Sequence, residues 1–260
     1  MTASASPVDW NGTPRTAQVH ITHPTRMALL DDIATRFAAG DGFTLATLNL
    51  DHIVKMRRDP AFRAAYLQHS HVVADGNPIV WLSGLAGRKV ALVPGSELIA
   101  PFAALAARMD VPVAVLGSTQ VVLDAAAERL EHDHPGLQIV ARIAPPFGLD
   151  VTGPEADALI ARLGDSGARL CLLALGAPKQ EILAVRAAAA LPACGFVSIG
   201  AGLDFIAGHQ TRAPRLVRRL ALEWAWRMAS NPARLAGRYA ACAAILPQLA
   251  RDARRQKPVS

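Results

Sequence analysis

Asp75 has both the type and the context to move a proton. It follows the apolar run His71–Val72–Val73–Ala74 and precedes Gly76, so its carboxylate is expected at a strand terminus, where ligands bind in open α/β sheets. A carboxylate there accepts the proton of an attacking hydroxyl, or it caps the helix that follows, and position alone does not separate the two. Thr47 and Asn49 stand two residues apart at the end of another strand-like run and point the same way. A hydroxyl and an amide so placed suit a sugar, although a strand-end Asx turn is the commoner fate of such residues.

Two later segments have the form of ligand loops. Gly176–Ala177–Pro178–Lys179–Gln180–Glu181 joins a tight turn to a helix start, whose free N–H groups favour an anionic or polar ligand. Plain helix initiation, with Gln180 and Glu181 as first-turn polar residues, is the reading that position favours. Gly200–Ala201–Gly202–Leu203–Asp204 lacks the third glycine of a dinucleotide loop and comes late in the chain, which argues against a nicotinamide cofactor. The Glu131–His132–Asp133–His134 cluster stops at Pro135–Gly136 and reads as a solvated helix end rather than a metal site. No Asp-x-Asp pair occurs, so a departing diphosphate would need another counter-charge.

Such a counter-charge is concentrated at one end. Residues 212–260 carry eleven Lys/Arg against two acids, whereas the preceding 211 residues carry sixteen against nineteen, within a total of +6. The excess points to a localised anionic partner: a diphosphate, an anionic lipid surface or a nucleic acid. The last ten residues, RDARRQKPVS, read as a solvated basic tail. Along RAPRLVRRLALEWAWRM, Leu216, Val217, Leu220, Ala221, Trp224 and Met228 share a helical stripe, with Arg215, Arg218 and Arg219 largely off it. That pattern suits an interfacial membrane helix or ordinary docking on the domain.

The elements that must hold these residues alternate. Strands are expected near Thr44–Leu50, Val72–Ala74, Val113–Leu116, Gln138–Ile143, Leu170–Leu175 and Phe196–Ile199. Helices are expected near His52–Gln68, Ser96–Met109, Val121–His132, Pro154–Leu163 and Lys179–Ala190, with Asp51 and Ser96 as caps. This is an α/β chain with a parallel sheet flanked by helices. At 260 residues and 52% hydrophobic composition it can bury a full core. The expected division is a disordered leader over 1–20, a catalytic domain over 21–211, and a basic helical appendage over 212–260 with helices near Pro214–Ala229 and Pro232–Leu249. The leader has no signal-peptide pattern, and apolar windows are too short to span a bilayer. Cys171, Cys194 and Cys242 form no CxxC pair and read as buried, reduced, cytoplasmic thiols.

Taken in order, TLNLDHI, the Asp75–Gly76 pair, VPGSEL, HPGLQI, LGAPKQE, SIGAGLDFIAG, RAP with LEWAWRM, and NPARLAGRY resemble the WecG/TagA/CpsF glycosyltransferase family from about Thr44 to Tyr239. The resemblance implies a Rossmann-like fold, a UDP-sugar donor, an undecaprenyl-diphosphate-linked saccharide acceptor, inversion at the anomeric carbon, and no obligatory metal or other cofactor. Compatible donors are UDP-glucose, UDP-glucuronate, UDP-N-acetylmannosamine and its uronic acid. It also implies peripheral attachment at the cytoplasmic face of the inner membrane and no nucleic-acid partner; an apolar helix face could alternatively meet a second copy of the chain. Asp75 matches the family's proposed base. Thr47, Asn49 and Gln180 match sugar-site positions, and Asp204 lies near the nucleotide. Arg227, Arg234 and Arg238 match C-terminal arginines that complete the donor site when the tail meets the membrane. Leu92 departs from the pattern, since an arginine is usual there; Arg88 and Lys89 are the nearest substitutes. A Rossmann-type oxidoreductase would require a glycine fingerprint after the first strand, which TLNLDH lacks. A nucleic-acid-binding module using the basic tail would require salt-dependent binding to DNA or RNA.

Overall fold

The computed structural model describes residues 6–12, 18–208, 228 and 232–258. Six strands form one wholly parallel sheet: β3 (Phe43–Leu48), β4 (His71–Ala74), β5 (Val113–Gly117), β6 (Ile139–Ile143), β7 (Leu170–Ala174) and β8 (Gly195–Ser198). Their order is β4-β3-β8-β7-β5-β6. Counted within the sheet this reads 2-1-6-5-3-4 rather than the familiar 3-2-1-4-5-6, so the fold is Rossmann-like in architecture with its own strand order. The inner strands are buried along almost their whole length. Covered on both faces, they appear in the sequence as continuous apolar runs without alternation. Edge strand β6 is the partly exposed one.

Helices cover both faces. The expected helix over His52–Gln68 is two, α2 (Leu50–Arg58) and α3 (Pro60–Gln68), because Pro60 has no N–H to continue the ladder and Asp59 caps the new helix by accepting from Phe62 N. Asn49, not Asp51, caps α2. Besides the short α9 given below, two helices go beyond the sequence reading. The first is α1 (Arg26–Ala39), capped by Thr25 and buried at Leu29, Ile33 and Phe37; the second is α4 (Asn77–Leu85), whose run NPIVWLSGL has no charged face to mark it. Helix α5 (Gly95–Arg108) starts one residue before Ser96, with Pro94 at its N-cap. Its Gly95 lies so close to Thr47 and the Ser198 carbonyl that an added Cβ would crowd both, which explains the glycine in VPGSEL. Helices α6 (Gln120–Asp133), α7 (Pro154–Asp165), α8 (Lys179–Ala190) and the short α9 (Gly202–Ile206) complete the alternation.

The chain ends depart from their expected roles. Within the stretch read as a leader, β1 (Val8–Asp9) pairs in parallel with β2 (Val19–His20), and Val8 and Trp10 are buried. The second appendage helix, α10 (Pro232–Arg255), runs six residues past the expected Leu249 and buries Leu249 and Ala253 in the same core cluster as Val8 and Trp10. Gln256 then accepts from Trp10 N at 2.7 Å, and its carbonyl accepts from Asn11 Nδ2 at 3.0 Å. The basic tail is therefore solvated at Arg251, Arg254, Arg255 and Lys257 but anchored at Ala253 and Gln256. Two apolar ends too short to fold alone are stable here because each covers the other. The expected helix Pro214–Ala229 falls outside the described residues except for Met228. No helix among the described residues is long and apolar enough to cross a membrane.

Candidate active site

The polar residues singled out in the sequence gather at the carboxyl edge of the sheet. Asp75 follows β4, and its N–H donates to the Leu48 carbonyl at 2.8 Å, which holds the ends of β3 and β4 together. Gly76 turns the chain with φ 106°, a backbone conformation that favours glycine, and serves as the N-cap of α4 with no side-chain cap bond. Asp75 is thus not the cap, and one of the two roles left open by its position is removed. Across from it, Asn49 Nδ2 lies 3.4 Å from Asp75 Oδ2 while Asn49 Oδ1 accepts from His52 N at 3.0 Å. The Asn49 oxygen thus serves as the cap of α2, where the sequence suggested a sugar contact or an Asx turn, and its amide nitrogen faces the carboxylate. Thr47, on β3, is buried beside Gly95.

Gln180 has a role that its helix-start position conceals. Its Oε1 accepts from Gly176 N at 3.2 Å and from Gly200 N at 3.1 Å, and its Nε2 donates to Glu181 Oε1 at 2.8 Å. One buried amide therefore ties the turn after β7 to the turn after β8. The Gln180 N–H is occupied as well, donating to the Gly176 carbonyl, so this turn offers an anion fewer free N–H groups than its sequence promises. The Ala177–Pro178 peptide is cis, and Lys55 Nζ donates to the Ala177 carbonyl at 3.0 Å.

Beneath these turns lies a buried group that sequence reasoning missed. Glu181 is wholly buried, and its Oε2 has no hydrogen-bond partner among the described residues. Burial pushes its carboxyl up to about 7, against the hydrogen bond from Gln180 and the charge of Lys55. The Tyr66 phenol is held well above its ordinary value by burial and by the Glu181 and Asp75 carboxylates, so it stays protonated. Its hydroxyl lies 2.8 Å from His52 Nδ1, and burial holds His52 down to about 3, a neutral ring at neutral pH. His52 stood in view in TLNLDHI, three residues after a capping Asn. Tyr66 gave no local signal, because only the packing of α3 brings it under the site.

Farther along the edge, Ser118 Oγ donates to Asp204 Oδ1 at 3.4 Å, joining the turn after β5 to α9. Asp75 and Asp204 therefore stand at different points of the carboxyl edge rather than side by side. From α10, Arg238 Nε pairs with Asp51 Oδ1 at 3.2 Å, and Lys55 Nζ holds the other oxygen at 2.9 Å. A cavity of about 540 Å³ opens there, lined among others by Lys55, Arg58, Pro178 and Arg238. Arg227 and the side chain of Arg234 lie outside the described residues. Arg88 turns its guanidinium onto Gly12 at the N-terminal segment, so it does not replace the arginine missing at Leu92, which is exposed.

The remaining sequence features are structural. Asp133 pairs with Arg129 at 2.8 Å and Glu131 with Arg142 at 3.1 Å, and no metal-type grouping forms at that helix end among the described residues. All three cysteines are buried and free, with Cys194 pushed up to about 12 by burial. The model of the Glycosyl transferase WecG/TagA/CpsF family matches residues 15–258, beyond both ends of the motif-bearing stretch. With strand-end carboxylates, amides and turns set along one edge of the sheet and its sequence matched nearly throughout, this chain is a member of the WecG/TagA/CpsF glycosyltransferase family.

Proposed function

We propose that this glycosyltransferase moves a sugar from a UDP-sugar onto an undecaprenyl-diphosphate-linked saccharide, with inversion, at the cytoplasmic face of the inner membrane. The observation that carries the reading is Asp75: a strand-end carboxylate that does not cap its helix and that faces the Asn49 amide. In the displacement, the acceptor hydroxyl oxygen bonds to C1 of the donor sugar as its proton passes to Asp75. The C1–oxygen bond to the diphosphate breaks, and UDP leaves from the opposite face with the electron pair. From Asp75 at β4 to Asp204 beside β5 the edge crosses four strand spacings, about 19 Å, room for an extended nucleotide-sugar with the acceptor hydroxyl at one end. Thr47 and Asn49 take the sugar hydroxyls. Gln180 keeps the two glycine turns in register around the sugar, a positioning role that its occupied amide supports.

Charge develops on the departing diphosphate. Arg227, Arg234 and Arg238 serve as counter-charges, since guanidinium pairs bidentately with phosphate and stays ionised. Their position in the basic C-terminal stretch couples transfer to an anionic bilayer surface. Deleting residues 214–260 is no clean test of this coupling, because it strips Leu249 and Ala253 from the core. The deciding experiment is a donor screen with an undecaprenyl-diphosphate-sugar acceptor, comparing the intact chain with Asp75→Asn. Transfer from one UDP-sugar by the wild type, lost in the variant with UDP binding retained, supports the reading. Equal transfer by both removes Asp75 as the base.

A further inference from the structure

We propose that His23, Asp32 and His71 form a site for a divalent transition metal such as Zn²⁺ at the amino end of β4, separate from the candidate site at the carboxyl edge. One donor atom from each residue lies within 4.8 Å of the other two. The three come from different pieces of chain: the segment leading into α1, the second turn of α1, and the first residue of β4. The His23 and His71 rings stack with centroids 4.7 Å apart and planes 10° apart. Two imidazoles and one carboxylate are a donor set that borderline metals such as Zn²⁺ favour.

The surrounding hydroxyls prepare both rings in the same way. His23 Nδ1 lies 2.9 Å from Thr22 Oγ1, and His71 Nδ1 lies 2.8 Å from Ser70 Oγ. Each hydroxyl is already built into backbone pairing. Thr22 Oγ1 accepts from Val72 N and donates to Val72 O, and Ser70 Oγ accepts from Thr44 N and donates to Thr44 O. A hydroxyl has one hydrogen and two lone pairs. With that hydrogen on the carbonyl, the remaining lone pair takes the ring's Nδ1–H, which leaves Nε2 of each histidine as a bare donor. Second-shell hydrogen bonds of this kind fix the tautomer and orientation of metal-binding imidazoles.

In that tautomer His71 Nε2 and Asp32 Oδ2, 2.6 Å apart, confront each other as two lone pairs. A cation between them removes the conflict. Zn²⁺ at its usual bond lengths holds its ligand atoms roughly 3.3 Å apart, so the near pair must open and the far atom close in. Asp32 is the part able to move, since its side chain is 39% exposed. Arg36 bonds the same oxygen at 2.9 Å, leaving Oδ1 to turn toward the metal. Solvent reaches the site through Asp32 and half-buried His23. The length of β4, roughly 13 Å, separates it from Asp75, so the metal would staple α1 to the edge strand and take no part in transfer.

The test uses the full chain freed of metal by chelation. Cobalt(II) titration is expected to give one equivalent of bound metal with d–d absorption bands, and Zn²⁺ at a hundredfold excess over its Kd should raise Tm by roughly 5 °C. His23→Gln, at a half-buried position that leaves the fold intact, and Asp32→Asn should each weaken binding at least tenfold, and Thr22→Val about tenfold although it removes no ligand. Absence of cobalt bands together with an unmoved Tm in the wild type overturns the proposal and leaves Asp32 bridging Arg36 and His71 as a purely structural contact. So does wild-type affinity in both ligand variants.

Discussion

The two ends of β4 each carry a polar grouping, and the two are assembled in opposite ways. At the carboxyl end Asp75 meets Asn49, and along the same edge Gln180 joins the Gly176 and Gly200 turns, so the ends of β3, β4, β7 and β8 carry polar residues from chain segments more than a hundred residues apart. At the amino end, His71, Asp32 and His23 come from within fifty residues, and serine and threonine hydroxyls woven into neighbouring backbone hold the rings. Parallel topology explains the contrast. Every crossover in such a sheet leaves from a carboxyl end, so that edge gathers turns from many strands and can surround a ligand. The amino edge receives the returning loops, and at β4 the segment before α1 and α1 itself lie against the first residue of the strand, an arrangement that suits a staple.

The sharpest way to break this comparison is Asp75→Asn. The substitution keeps shape and removes the proton acceptor, and it is expected to lower the transfer rate about a thousandfold while Tm stays within about 1 °C. A matching loss of Tm would make Asp75 a structural residue and erase the functional distinction between the two edges.

Glu181→Gln tests whether the floor of the carboxyl edge is strained by its buried acid. The folded-state value of about 7 lies above the ordinary 4.5, so the stability linked to this group is full below pH 4.5 and is lost as pH rises through 7. Wild-type Tm should therefore fall across that window by the equivalent of roughly 3 kcal/mol, and the glutamine variant should lack the fall. His52 works on the acid side with the opposite sign. Its folded value of about 3 lies below 6.5, so its contribution is present above pH 6.5 and is lost as pH falls toward 3.

Arg238→Ala separates the α10 cations from simple packing. Its pair with Asp51 is partly exposed and contributes under about 1 kcal/mol to stability, whereas loss of a charge that stabilises departing diphosphate lowers the rate roughly a hundredfold. An unchanged rate takes this arginine out of the mechanism. Gln180→Ala is expected to have the smallest effect in free energy: two part-buried N–H groups lose their acceptor, costing about 2 kcal/mol, and KM for the donor rises as the two turns separate. Steady-state kinetics and thermal unfolding on the same preparations check both.

Most of the fold was legible because apolar runs with helical stretches between them leave one economical arrangement, a parallel sheet covered on both faces. The misses have local causes. Helix α4 has no charged stripe, Pro60 divides a continuous pattern, and Val8 and Trp10 are too few to announce a buried end until Gln256 and Ala253 meet them. At the site, Asp75, Asn49 and Gln180 were visible as strand-end polar residues, but their partners were not. Tyr66 and His52 pair through helix packing, and Glu181 looks like any first-turn acid until α3 covers it.

The sequence by itself determined most of the sheet and helix pattern, the family, the strand-end position of Asp75 and the basic bias of the last 49 residues, because these depend on residue type and neighbours along the chain. Only the tertiary structure decided that Gly76 and not Asp75 caps α4, that Gln180 braces two distant turns, that Glu181 is buried beneath them, and that α10 belongs to the core. Each of those is a question of which partner reaches a polar or apolar group first. That competition is settled in three dimensions, where burial sets the cost of leaving a group unpartnered.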